Sequence, residues 1–375
     1  ATMETLLQAG VNNADLLIAM TGADELNLLC SMTAHGINPN IHTIARICNP
    51  DYTDQVYKMQ KTFALSLTVN PEKQAAIEIE RLLKFPGFLK RDSFAKGRVE
   101  IVELRVDERS RLCNVALSEL NRVIKCRVLI CAVLRRGDVV APDGSFVLRE
   151  GDRIFVTAST EILATLLDNL GIITKKVNHV MICGGGRVSY YLAQQLEKDG
   201  MTVRLIEKDP KHCEELAALL PKTEIINDDA SNTFVLKREN LESCDALVTA
   251  TGMDELNMII SLYGTKHGVS QVITKLGHME NGSMIDQLPI GSTIWPKDLC
   301  CNGIVRYIRA MHNQTGAAVS VHSIADGKAE AIEFHVEEKK PYCDKPLKNM
   351  KVKQNILVAC ITHGGVTELP GGDSV

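Results

Sequence analysis

A long internal repeat is the feature that most constrains this fold. Residues 21–27 read Thr-Gly-Ala-Asp-Glu-Leu-Asn, and residues 251–257 read Thr-Gly-Met-Asp-Glu-Leu-Asn. Each follows a short apolar run, Leu16–Met20 in the first copy and Ala246–Ala250 in the second. The same spacing of 230 residues relates Glu103–Glu108 to Glu333–Glu338, Cys113 to Cys343 and Leu117 to Leu347. Solenoid repeats run at about 20–50 residues. A period this long means a duplicated unit, and each unit is large enough for two domains, at about 100–200 residues for an ordinary domain.

Patterning divides each unit. Residues 1–93 alternate helix and strand, with a strand at 15–20, a helix over Asp24–His35 and strands at Ile41–Ile47 and Ala64–Val69. Asn70-Pro71 then opens a helix to Leu83, with Pro in the first turn where its missing N–H costs nothing. Alternation of this kind predicts an α/β fold with a parallel sheet. Residues 97–173 change character. Val99–Val106 alternates as a half-buried strand does, Val128–Leu134 and Arg153–Thr157 read as strands, and Glu161–Leu170 reads as a helix. Arg135–Asp138 and Pro142–Gly144 carry turn chemistry. This is a small α+β module. A Rossmann-like α/β domain follows over 177–312, a connector over 313–327, and a second α+β module over 329–375. The first copy lacks the glycine-rich half-domain that precedes the repeat in the second. The second module stops short of its counterpart. Both ends of the chain are therefore expected to be cut from a longer protein.

The chemistry-bearing motif is Cys183-Gly184-Gly185-Gly186-Arg187-Val188-Ser189, between a strand at 179–183 and a helix from Arg187. It fits Gly-x-Gly-x-x-Gly with Ser at the third glycine. Gly184 suits a tight turn, Gly186 lets backbone approach a pyrophosphate, and Ser189 is still small enough for the helix to pack on the sheet. The helix amino terminus offers N–H groups to phosphate. Glu207 ends the next strand, 23 residues after Gly184. An acid there bonds ribose hydroxyls and disfavours a 2′-phosphate. Asp229 follows the third strand beside the same crevice, and Thr251-Gly252 follows the fourth. Arg46 and Lys275 end equivalent strands of the two copies, at the carboxyl edge where open α/β sheets bind ligands. A basic group there meets either phosphate or solvent. Asp254 and Glu255 open a helix, where they complement its dipole and cap it. Asn27 and Asn257 are expected to point inward and bond structurally.

Other classes of function find little support. Net charge is −4 with both signs mixed along the chain, so no basic footprint for nucleic acid exists. No apolar run approaches the roughly 20 residues of a membrane span. The twelve cysteines contain no Cys-x-x-Cys and read as small buried hydrophobes. No acid/base pair, serine elbow or metal-ligand spacing accompanies the crevice, so no catalytic or metal residue is expected. A nucleotide site without catalytic groups suggests sensing rather than chemistry.

Taken in order, the strand–Gly-Gly-Gly-Arg-Val-Ser–helix unit, Glu207, Asn227-Asp-Asp-Ala-Ser231 and the duplicated Thr-Gly-x-Asp-Glu-Leu-Asn resemble the TrkA family, regulators of potassium uptake built from RCK domains. The resemblance covers essentially the whole chain, and its tandem arrangement is the specific part. It implies RCK N (Rossmann) domains at 1–93 and 177–312, with RCK C domains at 97–173 and 329–375. It implies binding of NAD(H) or ATP/ADP, assembly of copies into a ring, and control of a TrkH-type membrane potassium-transporting subunit from the cytoplasmic face. By position the second site comprises Gly184, Gly185, Gly186, Arg187, Val188, Ser189, Glu207, Asp229, Thr251, Gly252 and Lys275. The first keeps only Thr21, Gly22 and Arg46. Lys275 stands where the family usually has arginine. Two alternatives remain at this point: an NAD-dependent oxidoreductase, and a regulator of a different cation transporter. A cyclic dinucleotide between RCK C domains is a further open possibility.

Overall fold

The computed structural model describes the chain except residues 1, 85–86, 109, 173–175, 278–284, 286–287, 313–317, 326–327, 337–342, 351–354, 365 and 375. In the first copy, helix α1 (Met3–Gln8) precedes three parallel strands, β1 (Leu16–Ala19), β2 (His42–Arg46) and β3 (Leu67–Val69), in that order across the sheet. Helix α2 (Asp24–Ile37) connects β1 to β2, and α3 (Pro50–Lys58) lies between β2 and β3. Helical periodicity does not announce α3. Its start is nonetheless encoded by Asn49, whose side chain caps Asp51 N–H ahead of Pro50.

The second copy carries the full sheet. Its strands are β9 (His179–Cys183), β10 (Thr202–Glu207), β11 (Glu224–Asn227), β12 (Ala246–Thr249), β13 (Gln271–Lys275) and β14 (Ser292–Ile294). All pair in parallel in the order β11-β10-β9-β12-β13-β14. This is the doubly wound order, which reverses between β9 and β12. Helices α6 (Arg187–Lys198), α7 (Pro210–Leu219), α8 (Thr233–Arg238) and α9 (Asp254–Lys266) link successive strands. Parallel strands covered on both faces become continuous apolar runs, and β12 is buried along its whole length.

Between the copies lies a five-stranded antiparallel sheet, β4-β5-β8-β6-β7, formed by Lys90–Phe94, Val99–Arg105, Arg153–Ser159, Leu129–Arg135 and Asp138–Val140. Helix α5 (Leu163–Leu170) covers it through Leu163, Leu166, Leu167 and Leu170. Asp152 is buried and accepts from Nε and Nη2 of Arg135, each at 2.7 Å. The sequence reading took Arg135–Asp138 as a turn alone. The turn is present, and β7 follows it.

Two long helices exchange sides. Helix α4 (Pro71–Lys84) belongs to the first copy, yet its Ala75, Ala76, Ile79, Leu82 and Leu83 pack with Val180, Ile182, Leu192 and Leu196 of the second. Helix α10 (Pro296–His312) belongs to the second copy and sends Cys300 and Ile304 against Ile44 and Val69 of the first. Complete burial of a Leu or Ile side chain contributes about 1.5–3 kcal/mol, so the exchange makes each copy a substantial part of the other's core. Further along, the expected connector at 313–327 contains a whole strand instead. β15 (Ala318–Ile324) pairs antiparallel with β16 (Ala329–Phe334). Its counterpart β4 likewise precedes the first α+β module, joining β5 with all but Phe94 from residues assigned to the Rossmann domain. Local pattern misses both strands because their apolar faces are satisfied across a domain boundary: Phe94 and Ile324 share one cluster with Phe155. A short antiparallel pair, β17 (Ile361–His363) and β18 (Val366–Glu368), completes the strands. Among the described residues, no helix is long and apolar enough to cross a membrane.

Candidate nucleotide crevice

The crevice opens at the carboxyl ends of β9 and β12, where the strand order reverses. Leaving β9, the chain turns through Gly184 at φ +98°. A Cβ at Gly184 would lie 2.8 Å from Thr251 Cα and 2.9 Å from the Ala250 carbonyl oxygen. Glycine is therefore required twice, by the left-handed backbone and by the neighbouring strand end. At Gly185 a Cβ would meet Leu216 and the Glu207 carboxylate, whereas at Gly186 it would meet nothing within 4 Å. That open space is where backbone can receive a ligand. Gly186 is the N-cap of α6 and supplies no side-chain cap. The first N–H groups of a helix lack intrahelical acceptors, so α6 presents them at the mouth of the crevice. Arg187 is exposed there, while Val188 and Ser189 bury their side chains against the sheet. Only the backbone of those two residues can serve a ligand. The Ser189 hydroxyl is buried without a hydrogen-bond partner, the cost of replacing the third glycine.

Glu207 holds the turn from the next strand. Its Oε2 accepts from Gly185 N–H at 2.7 Å and its Oε1 from Asp209 N–H at 2.9 Å. Thr251 sits across the crevice, its N–H bonded to Asn257 Oδ1 at 2.9 Å. Lys275 reaches the same place, its Nζ donating to the Thr251 carbonyl at 2.7 Å. Burial pulls the Lys275 pKa down, against the opposing influence of Asp254 and then Glu72. Gly184–Ser189, Glu207, Thr251 and Lys275 are thus brought together. Gly252 is exposed with open space beside it. Asp229 is exposed one residue beyond the Asp228 N–H that bonds the Glu207 carbonyl, and its carboxylate turns onto Ser231 N–H at 2.8 Å. That backbone bond holds its pKa below the ordinary value.

The first copy repeats only the later half of this arrangement. Thr21 N–H bonds Asn27 Oδ1 at 2.7 Å, and Asn27 Nδ2 reaches the Arg46 carbonyl at 2.9 Å, as Asn257 reaches Lys275. Both asparagines are fully buried, as the sequence suggested. Arg46 does not turn back to Gly22. It pairs with Glu72 of α4 at 3.0 Å and points its Nε at Cys48 Sγ. Burial, followed by the Glu72 carboxylate, pushes the Cys48 thiol up to about 12. Asp24 and Asp254 do not cap their helices. Asp24 accepts from Cys48 and Asn49 N–H, and Asp254 from Gly277 N–H, so each ties a helix start to the neighbouring strand end. An amide one strand away is a donor that sequence spacing alone does not reveal.

Two further residues fasten the elements around the crevice. His212 of α7 reaches the Gly185 carbonyl at 2.9 Å. Tyr191, in the second turn of α6, donates to the Cys48 carbonyl and contacts Asn70 and Thr53 of the first copy. Helical spacing from the motif is a sequence signal for Tyr191 alone; His212 lies on a different helix, 27 residues from the carbonyl it meets. Among the described residues, no group of three or more His, Cys, Asp or Glu is arranged to hold a metal ion. All twelve cysteines are free; Cys48, Cys183, Cys213 and Cys300 are buried as expected, seven others are half-buried, and Cys301 is exposed.

Residues 1–67 and 180–296 match the TrkA-N domain, and residues 101–171 match the TrkA-C domain. The chain is 30% identical over 336 residues to the Trk system potassium uptake protein TrkA of Haemophilus influenzae, covering 88% of this chain and 72% of that protein. It is 29% identical over 374 residues to the TrkA homolog of Archaeoglobus fulgidus, covering 100% of this chain and 83% of that one. Among solved structures, the GsuK RCK domain superposes with a TM-score of 0.60 at 16% identity, covering 83% of this chain and 66% of that one. The GsuK channel bound to NAD gives 0.58 at 16% identity, this chain spanning 54% of its length. The tandem α/β and α+β units, the glycine turn at the strand reversal and these likenesses agree: the chain belongs to the TrkA family of Trk-system potassium uptake proteins.

Proposed function

We propose that this chain is a nucleotide-responsive regulatory subunit of potassium uptake that performs no catalysis of its own. The observation that carries the reading is the Gly184–Ser189 turn, held ready by Glu207 at the point where the strand order reverses. The crevice residues are Gly184, Gly185, Gly186, Arg187, Val188, Ser189, Glu207, Asp229, Thr251, Gly252 and Lys275. Backbone N–H groups of α6 take the phosphates, and Glu207 takes ribose hydroxyls after releasing one of its two backbone partners. NAD(H), ATP and ADP share that recognition unit. A 2′-phosphate would meet a carboxylate, so NADPH binds worst. Thr21, Gly22 and Arg46 mark the equivalent place in the first copy, with Arg46 held by Glu72.

The output is mechanical. Helices α2 and α9 expose Leu29 and Ile259 at equivalent positions of the repeat, which supports assembly of copies side by side into a ring. A TrkH-type membrane subunit on the cytoplasmic face of the membrane would then feel a change in ring shape. To move a two-state ring from 1:99 to 99:1, nucleotide binding must differ between the states by about 5.5 kcal/mol, a quantity several sites can share.

The test is calorimetric titration of the folded chain with NADH, NAD⁺, ATP, ADP and NADPH, with Glu207→Ala alongside. We expect saturable binding near one site per chain for NADH or an adenosine phosphate, weakened at least tenfold in Glu207→Ala. Absence of binding by a folded sample would reduce the crevice to scaffold. Steady NADH oxidation with a small carbonyl substrate would instead favour an oxidoreductase.

A further inference from the structure

His212 places both of its ring nitrogens against acceptor oxygens. Nε2 lies 2.9 Å from the Gly185 carbonyl oxygen, and Nδ1 lies 3.1 Å from Glu215 Oε2. A carbonyl oxygen and a carboxylate oxygen both accept, so both contacts are hydrogen bonds together only when both ring nitrogens carry a proton. A neutral imidazole has one N–H and can serve only one of them. The imidazolium satisfies both contacts at once.

The contact falls on the peptide that matters most to the crevice. Gly185 N–H is held by Glu207 and Gly185 C=O by His212, so one residue of the glycine turn is fixed from both sides. Fixing a loop in its bound form reduces the ordering cost of binding. The cation also stands beside the mouth where phosphates are expected.

We propose that His212 is a positioning residue of the crevice: as an imidazolium it anchors the Gly185 carbonyl, and nucleotide affinity falls when the ring loses its second proton. The inference rests on the nucleotide reading of the crevice. The charged groups facing the ring are Glu215 on its own helix and Glu207 on β10; the glycine turn presents a neutral carbonyl. The hydrogen bond to Glu215 raises the His212 pKa above its ordinary value, burial opposes this, and the Gly185 carbonyl and Glu207 add to the rise. A raised pKa sets the sign. The anchor is complete below the ordinary histidine value near 6.5 and is lost as pH rises through the folded one.

Two measurements on the intact chain test this. Nitrogen-15 shifts of the His212 ring, read without nucleotide at pH 6.5, should show both nitrogens protonated, and Glu215→Gln should lower the midpoint of the titration. Titration with NADH and, separately, ATP between pH 6 and 8.5 should show about a three- to tenfold loss of affinity across the His212 midpoint, the size of one hydrogen bond. His212→Gln, which donates but does not titrate, should flatten that loss while leaving the fold intact. A single-tautomer neutral ring at pH 6.5 overturns the proposal. So does a pH profile identical in wild type and His212→Gln. A doubly protonated ring in a chain that binds neither NADH nor ATP at any pH would uphold the anchor and remove the nucleotide reading.

Discussion

Gly184 and Gly186 stand two residues apart and do different things. Gly184 is demanded by the fold, since its φ of +98° and the Thr251 backbone 2.8 Å from a Cβ leave no room for alanine. Nothing in the fold demands Gly186, which has a φ of −64° and open space around its Cβ position. The two substitutions should separate accordingly. Gly184→Ala is expected to lower unfolding free energy by about 2 kcal/mol or more, combining left-handed strain with displacement of a strand end. Gly186→Ala should leave denaturant stability within about 0.5 kcal/mol and still weaken nucleotide binding. Equal losses of stability in both would mean that Gly186 serves the fold alone. The place of Glu207 at the end of the strand after the glycine turn was legible from spacing; its bonds to the Gly185 and Asp209 N–H groups were not. His212 was not, because the Gly185 carbonyl it serves lies 27 residues back in sequence.

At the level of elements, the repeat motif explains itself through asparagine. Asn257 sits in the first turn of α9 with its side chain buried beneath the strand ends. Its Oδ1 accepts from Thr251 N–H at 2.9 Å and Thr251 Oγ1 at 2.7 Å, and its Nδ2 donates to the Lys275 carbonyl at 2.9 Å. One side chain thus joins the ends of β12 and β13, and Asn27 does the same for β1 and β2. Removing a buried polar partner costs about 1–3 kcal/mol per group left unsatisfied. Asn257→Ala should therefore lose roughly 2–4 kcal/mol in urea unfolding and should disorder the Thr251 side of the crevice. A loss below about 1 kcal/mol would show that water substitutes for the amide. The inward placement of both asparagines followed from helical spacing. Their partners did not, because a strand end 18 or 19 residues later becomes adjacent only when the sheet forms. The same reason hid β15, whose apolar face meets Phe94 and Phe155 across the domain boundary.

Across the whole molecule, the two copies are joined through α4, α6 and α10. Tyr191 sits in the helix that presents N–H groups to the crevice, and its hydroxyl ends in the first copy, on the Cys48 carbonyl at 3.1 Å and Asn70 Nδ2 at 3.2 Å. Gln271 Nε2 adds a second link to the Leu82 carbonyl at 2.8 Å. A shift of α6 on nucleotide binding would be felt at the first copy's strand ends. Tyr191→Phe keeps the ring and its packing, so the expected cost is about 1 kcal/mol. Faster amide hydrogen exchange should appear at residues 47–53 and 70–73, with little change in the five-stranded sheet. Uniform acceleration everywhere would assign Tyr191 to global stability instead.

The sequence by itself determined the elements whose causes are local. A duplicated motif announced two α/β units, short apolar runs located the parallel strands, and the glycine turn with Glu207 located the crevice, since turn geometry and strand length depend on near neighbours. Only the tertiary structure decided that α4 and α10 change sides, that Arg46 pairs with Glu72 while Lys275 faces Thr251, and that His212 holds the turn. Those outcomes depend on which surfaces of the two copies meet, and a one-dimensional pattern records the apolar face of a helix without recording the face that covers it.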